Sequence, residues 1–206
     1  MYINYQLIGS IFLDISLLIY TVQFIPQIFH NFFNDKSTYN ISELTQLLMF
    51  TTIFCNIIQA VGYYMHWQYL AVAIIYLIGV LIQQIQISLA KKKYLTICNY
   101  CFIIVSVFAI LAIIFNDLYI TFIAGIIVIV FHLLYWFPQI YKNYKQKRFD
   151  GYRWEFIFLG LLANICDLIS SFLLKWELIV RINIIIIIFI LFILVYQKII
   201  YSNRPL

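Results

Sequence analysis

Seven apolar stretches occupy most of this chain of 206 residues. They run roughly over residues 5–29, 43–65, 68–90, 95–116, 118–141, 154–174 and 177–200. An α-helix needs about 20 predominantly apolar residues to cross a bilayer, and each stretch meets that length. With 65% hydrophobic and only 10% charged residues, the chain has more apolar surface than a soluble domain of this size could bury. The sequence therefore predicts an all-α membrane protein with seven transmembrane helices.

The positions of the basic residues predict the orientation of the chain, because cytosolic loops are enriched in Lys and Arg. With the N-terminus outside or lumenal and the C-terminus cytosolic, only Lys175 and Arg181 lie on the outer side. The other 11 of the 13 Lys and Arg residues are then cytosolic: Lys36, Lys91, Lys92, Lys93, Lys142, Lys145, Lys147, Arg148, Arg153, Lys198 and Arg204. The net charge of +5 follows from this asymmetry. It does not indicate binding to nucleic acid, which would need a basic face on a water-soluble surface.

Two of the three prolines belong to a repeated Pro-Gln pair. Pro26-Gln27 and Pro138-Gln139 stand 112 residues apart, each near the cytosolic end of a long apolar stretch. A proline late in a helix removes one backbone donor and loosens the preceding turn. The repetition therefore predicts a matched pair of hinges.

The sequence after each Pro-Gln pair repeats as well, with a gap of one residue in the following loop. In this register Asn40 pairs with Gly151, and Asn56 pairs with Asp167 in the next apolar stretch. Asn and Gly best tolerate a positive φ, so we expect a left-handed turn at both loop positions. Symmetry-related polar residues near the middle of the membrane are where repeat transporters bind their cargo.

These Pro-Gln frames resemble the PQ-loop family of membrane transporters, which includes cystinosin and the lysosomal cationic amino acid exporters. The SWEET sugar carriers and the KDEL receptors are related folds. The resemblance implies two parallel three-helix bundles joined by a linker helix, an arrangement written 3+1+3. The first bundle would comprise residues 1–93, the linker helix 94–117, and the second bundle with a short cytosolic tail 118–206. A central cavity would open alternately to either side.

Charged residues inside a span are costly and are functional candidates by default. Asp167 is the strongest candidate, because Asn164, Asp167 and Ser170 recur at helical spacing and share one face of the sixth stretch. Such a polar face lines a cavity or makes hydrogen bonds to a neighbouring helix. By symmetry, Asn56 and Gln59 are expected to face the same cavity.

Two further residues could handle protons. Asp14 precedes Pro26 in the first stretch and could accept a proton or pair with a cation; the alternative is a solvated position near the outer mouth. His132 lies six residues before Pro138 and could relay protons; the alternative is a hydrogen bond between helices. In cystinosin a proton-binding aspartate lies nearer the start of the sixth helix, where this chain has Gly160.

The resemblance implies a proton-coupled carrier of a small amino acid, either a cationic amino acid or one like cystine. Asp167, with or without Asp14, would hold a proton or the substrate's ammonium. The alternatives are a SWEET-like sugar uniporter, with Asn56 and Asp167 in the place of paired asparagines, and a KDEL-receptor-like peptide receptor. We expect no enzymatic activity and no cofactor, and no metal at Cys98 and Cys101. The expected partners are a small-molecule substrate, protons and the bilayer of an acidic organelle or a bacterial inner membrane, and a monomer would suffice.

Overall fold

A computed structural model describes residues 4–33, 38, 40–91, 97–115, 117–149 and 151–202. All regular structure in these residues is helical. The helices are α1 (Tyr5–Phe33), α2 (Glu43–Gly62), α3 (Trp67–Ala90), α4 (Ile97–Phe115), α5 (Leu118–Tyr135), α6 (Phe137–Gln146), α7 (Trp154–Leu173) and α8 (Leu178–Ser202). Lys36, Lys92, Lys93 and Arg204, which contribute to the predicted charge asymmetry, lie outside the described residues, as does the side chain of Cys98.

Six of the predicted spans are long and apolar enough to cross a membrane. The exception is the fourth: the part of α4 whose side chains are described, Tyr100–Phe115, is apolar but too short to count as a span by itself. Length and composition therefore support a multi-pass membrane protein with six spans among the described residues.

The two Pro-Gln helices differ in continuity. Helix α1 passes through Pro26 without interruption. The second copy is divided at Trp136, where α5 ends and α6 begins with Pro138 in its first turn. The two parts together span Leu118–Gln146. Proline lacks the N–H that would continue the helical ladder, but Pro26 lacks it too and α1 is continuous, so the proline alone does not account for the division at Trp136.

The six long helices form a ring. The most extensive contacts join α1 to α7 and α2 to the α5–α6 helix, so the two halves of the chain meet twice. Within each half the third helix contacts both others: α3 packs on α1 and α2, and α8 packs on α5 and α7. Helix α4 packs against α2.

The turns at the end opposite the Pro-Gln pairs repeat in conformation. Tyr64 and Lys175 follow α2 and α7, stand 111 residues apart in the sequence, and have φ values of 49° and 53°. Each turn returns backbone hydrogen bonds to the last turn of its helix, the usual way in which a left-handed residue ends a helix. The internal repeat is therefore visible in the backbone as well as in the sequence.

The expected left-handed turns at Asn40 and Gly151 are wrong. The described residues with positive φ are Tyr64, Lys147 and Lys175, and no glycine among them has a positive φ. Gly151 has a different role: a Cβ at this position would lie only 3.0 Å from the carbonyl oxygen of Asn40. The glycine lets the loop of one half approach the loop of the other.

Glycines also allow close helix contacts at the opposite end of the bundle. A Cβ added at Gly9 in α1 would lie 2.8 Å from Cγ of Leu174, which follows α7. A Cβ at Gly62 in α2 would overlap the side chain of Thr121 in α5. Both junctions between the halves are therefore narrow at this end.

Candidate functional site

A cavity of about 90 Å³ with several polar side chains in a mainly apolar wall lies inside the ring. It is several times larger than the roughly 10–15 Å³ that one water molecule needs. Side chains from α1, α2, α3, α5, α7 and α8 line it, together with Trp136 between α5 and α6. Of the predicted site residues, Asn56, His132, Asn164 and Asp167 line this cavity. The ring thus brings four candidates from three helices to one place.

The residues lining the cavity come from corresponding positions of the two halves. Asn56 and Asp167 stand 111 residues apart, and both line the cavity. The third helices keep the same offset, so that Val72 in α3 corresponds to Asn183 in α8. The cavity therefore lies where the repeats face each other, but its chemistry is unequal, because the carboxylate belongs to the second half.

Asp167 is the acidic residue of the cavity. Its side chain is 7% exposed, and its Oδ2 accepts a hydrogen bond of 3.0 Å from the hydroxyl of Tyr20. Its Oδ1 is buried, and no well-formed hydrogen bond to it exists among the described residues. The Ser16 hydroxyl, which donates to the carbonyl of Leu13 over 3.0 Å, lies close enough to turn toward this carboxylate instead. A buried carboxylate with so few donors is costly, so a proton or a donor group bound at Oδ1 would stabilise it.

Asn56 and Asn164 lie beside the carboxylate with partners of their own. Asn164 donates to the Gly160 carbonyl one turn earlier over 2.8 Å, which leaves its Oδ1 as the group available for other contacts. The Tyr69 hydroxyl donates to Asn56 Oδ1 over 3.4 Å. Both amides can exchange these bonds for bonds to a bound solute.

His132 lines the cavity from α5, at the position that corresponds to Tyr20 in the first half. Its ring lies 5.5 Å from that of Tyr135. Its Nδ1 is buried and has no hydrogen-bond partner among the described residues. The ring is therefore available to a solute in the cavity.

Three predicted residues do not line the cavity. The Ser170 hydroxyl donates to the Gly9 carbonyl over 2.9 Å, which is a bond between helices α7 and α1. Gln59 is buried between α2 and α5, where a Cβ at Gly125 would lie 2.7 Å from its Nε2. Asp14 is exposed and accepts a bond of 3.0 Å from Gln68 of α3. On the polar face of α7, Asn164 and Asp167 therefore line the cavity, whereas Ser170, one turn later, bonds to α1.

Sequence reasoning missed several cavity residues. They include Gln23, Tyr69, Tyr76, Tyr135 and Asn183. The aromatic residues among them are of the same types, Tyr and Trp, that anchor helices at the membrane surface, so the sequence does not distinguish the two roles. Asn183 could have been predicted from the sequence. It is a polar residue that follows Arg181 at the start of a long apolar stretch, and the equivalent position of the first repeat is the apolar Val72.

The first Pro-Gln pair touches the loop of the other half. Nε2 of Gln27 donates to the Gly151 carbonyl over 3.1 Å and to Asn31 Oδ1 over 2.8 Å. Its Oε1 accepts from the backbone N–H of Arg153 over 2.7 Å. One fully buried carboxamide therefore satisfies two backbone groups of the second half.

The second Pro-Gln pair returns the same contact. Nε2 of Gln139 donates to the Asn40 carbonyl over 3.2 Å and to Asn143 Oδ1 over 2.9 Å. Its Oε1 accepts from the backbone N–H of Ser42 over 3.1 Å. We call these two sets of bonds the glutamine bridges. Each half holds the loop of the other through the glutamine of its Pro-Gln pair.

Third-helix glutamines extend both bridges. Asn31 donates to Gln86 of α3, and Asn143 donates to Gln197 of α8, each over 3.2 Å. Both glutamines then donate over 3.0 Å to the carbonyl of the isoleucine that follows the Pro-Gln pair. These bonds tie the segment just after each Pro-Gln pair to the third helix of the same half.

Buried aromatic rings separate the cavity from the glutamine bridges. Phe24 lies 4.8 Å from the ring of Tyr76 and 5.2 Å from that of Phe156. Tyr152 lies 5.1 Å from Trp136, the counterpart of Phe24, and its hydroxyl accepts from Gln46 over 3.0 Å. Burial raises the pKa of Tyr152, so its hydroxyl remains protonated. On the Pro-Gln side, the lining residues Tyr76 and Trp136 therefore pack against the buried rings of Phe24 and Tyr152.

Duplicated helical halves, long apolar helices and a cavity with buried polar side chains between the halves define a multi-pass membrane protein built from an internal repeat. The family model described as PQ loop repeat matches residues 8–69 and 120–180. The chain belongs to the PQ-loop repeat family, and the assignment made from its Pro-Gln frames is confirmed. A search of curated proteins gave no significant match.

Proposed function

We propose that this protein is a carrier that moves a small amino acid, cationic or cystine-like, across a membrane by proton-coupled alternating access. The observation that supports the proposal most is the position of Asp167. Its carboxylate lies in the cavity between the repeats, and one of its oxygens is buried without a partner among the described residues. Packing alone would not retain such a group inside a membrane protein, where charged residues are costly.

Asp167 would alternate between two occupants. In one state its carboxylate binds the ammonium group of the substrate, and in the other it binds a proton. The amides of Asn56 and Asn164 would make the remaining hydrogen bonds to the solute, and His132 is in position to accept or donate a proton. Asp14 has no role in this proposal, because it lies outside the cavity and is bonded to Gln68.

The proposed arrangement is 3+1+3, with α4 as the linker that crosses the membrane and places the two bundles in parallel. Repeated turns at Tyr64 and Lys175 support the parallel relationship. We place the N-terminus outside or lumenal and the C-terminus in the cytosol. An acidic organelle such as a lysosome or vacuole would supply the proton gradient, and so would a bacterial inner membrane.

Alternating access would move the aromatic rings on the Pro-Gln side. Opening the cavity in that direction requires the helices carrying Pro26 and Pro138 to bend away from the loops that they now hold. The glutamine bridges are reciprocal, so breaking one removes a contact from both halves. We therefore propose that the two Pro-Gln helices move together.

Uptake into proteoliposomes tests the proposal. Radiolabelled lysine, arginine, cystine and glucose would be offered with and without an inward acid gradient. We expect amino acid uptake that the gradient stimulates, and its loss in Asp167→Asn. The matched control is Asp117→Asn, which removes an exposed acid at the start of α5, where Asn caps a helix as well as Asp.

Two outcomes would contradict the proposal. Gradient-independent glucose flux would indicate a sugar uniporter. The absence of flux for all four solutes would favour a receptor. Undiminished gradient-driven uptake in Asp167→Asn would show that Asp167 is not needed for proton coupling, although the protein would still be a carrier.

A further inference from the structure

The charge of the cavity restricts the solutes that it can hold. Asp167 is the acidic residue in its lining, and none of the described lining residues is a Lys or Arg. His132 is the one lining residue that could become cationic, and it has no acidic neighbour on its own helix. A buried charge is stable only when it is paired, so the ionised cavity is matched by a solute with one positive charge.

The unpartnered polar atoms of the lining are mostly acceptors. Oδ1 of Asp167, Oδ1 of Asn183 and Oε1 of Gln23 are all buried without a hydrogen-bond partner among the described residues. Two ring nitrogens of the lining are also unpartnered: the indole Nε1–H of Trp136, a donor, and Nδ1 of His132, which can donate or accept. Three acceptors in one cavity are satisfied by a group with several N–H donors, such as an ammonium. A carboxylate brings only more acceptors.

Aromatic rings form much of the remaining wall. The lining includes Tyr20, Tyr69, Tyr76, Tyr135 and Trp136. The electron-rich faces of such rings attract organic cations. The ring faces offer no comparable attraction to an anion, and the hydroxyls of Tyr20 and Tyr69 already donate to Asp167 and Asn56.

We propose that this cavity recognises the ammonium group of its solute and does not require a carboxylate, so that small primary amines bind as well as the corresponding amino acids. The inference rests on the proposed transport function and identifies the ammonium group as the part of the substrate that the cavity binds. The ammonium donates to Asp167 and Asn183 among the tyrosine rings. A substrate carboxylate has no Lys or Arg to pair with in the described lining, and His132 could pair with it only when protonated.

A matched set of three compounds tests the inference by ligand-induced thermal stabilisation of the purified full chain. Propylamine has only the ammonium, butyrate has only the carboxylate, and 2-aminobutyrate has both on the same carbon skeleton. Binding to the folded state raises the unfolding midpoint. We expect propylamine and 2-aminobutyrate to raise Tm by similar amounts, about 2–4 °C at saturating concentration, and butyrate to leave it unchanged.

Three variants make the test specific. Asp167→Asn should abolish the shift with both amines, because the charge is lost and the shape is kept. Asn183→Val installs the residue found at the corresponding position of the first half, Val72, and should reduce the shift. Asp117→Asn should leave the shift unchanged.

The failure of the inference is distinguishable from the failure of the carrier proposal. A shift with 2-aminobutyrate but none with propylamine would show that the carboxylate is required, which overturns the inference and keeps the amino acid carrier. A shift with glucose and none with any amine would overturn both. A shift with propylamine that persists in Asp167→Asn would overturn the assignment of the ammonium to this carboxylate.

Discussion

The hydroxyl of Tyr20 donates a hydrogen bond of 3.0 Å to Oδ2 of Asp167, and this bond joins the two halves of the chain. Tyr20 lies in α1, less than two turns before Pro26, whereas Asp167 lies in α7. A proton or solute that binds Asp167 therefore acts directly on the helix that contains the first Pro-Gln pair. The bond offers a physical link between occupancy of the cavity and movement of that helix.

Tyr20→Phe removes this link and keeps the ring. We expect a loss of stability of about 1–3 kcal/mol, because a buried carboxylate loses its donor, and slower gradient-driven uptake. Thermal unfolding and proteoliposome uptake measure the two effects. Tyr119→Phe, at an exposed position near the start of α5, is the control. A variant with unchanged stability and unchanged uptake would show that the bond has no role.

Gln27→Ala and Gln139→Ala each remove one glutamine bridge. The expected loss for either variant is about 1–3 kcal/mol per backbone group left buried without a partner. Because the bridges correspond in geometry, the two variants should lower Tm by similar amounts. Gln146→Ala, at the exposed end of α6, is the control and should leave Tm unchanged. A large effect from one glutamine and none from the other would contradict reciprocity.

Gly151→Ala tests why a glycine is needed at this position: for the close approach of the two loops or for an unusual backbone conformation. Gly151 has no positive φ, so replacing glycine by alanine would stabilise an open site by about 0.4–1 kcal/mol. The added Cβ would instead lie 3.0 Å from the Asn40 carbonyl oxygen and 3.1 Å from Gln139 Nε2. We therefore expect a lower Tm. A higher Tm would mean that the two loops do not touch.

The proline hinges are tested by rate and affinity together. Pro26→Ala and Pro138→Ala restore a backbone N–H and stiffen the helix. We expect slower uptake with little change in ligand-induced thermal stabilisation, since neither proline lines the cavity. The larger change in rate is expected for Pro138, where the helix is divided at Trp136. An equal loss of rate and of affinity would argue against hinges.

The sequence predicted the apolar helices, the internal repeat and the cavity position of Asp167, because each depends on local composition or on register. It could not separate Asp167 from Ser170, which share a helix face. Three residues advance a helix by about 4.5 Å, and over that distance the space inside the ring gives way to the narrow contact with Gly9. Gln59, which corresponds to Ser170 in the first half, likewise lies beyond the end of the cavity. Packing between segments that are distant in the sequence determines where a cavity ends. The residue pattern of a single helix therefore cannot predict it.

Gly160 gives the last prediction. A Cβ at this position would lie 2.6 Å from Nε2 of Gln23, which donates to the Phe156 carbonyl over 3.0 Å and to the Tyr76 hydroxyl over 3.3 Å. The carboxamide therefore fills the space that a side chain at position 160 would need. Gly160→Ala should lower Tm, because Gln23 must abandon both bonds.

A double-mutant cycle isolates this contact. Gln23→Ala alone should also destabilise the protein, because the Phe156 carbonyl loses its side-chain donor and a cavity is left. In the combined variant, however, the added methyl group meets no carboxamide, so the second substitution should cost much less than it does alone. Tm values for the four proteins give the coupling between the two positions. Additive losses would mean that Gly160 is required for another reason, such as close packing of α7 on α1.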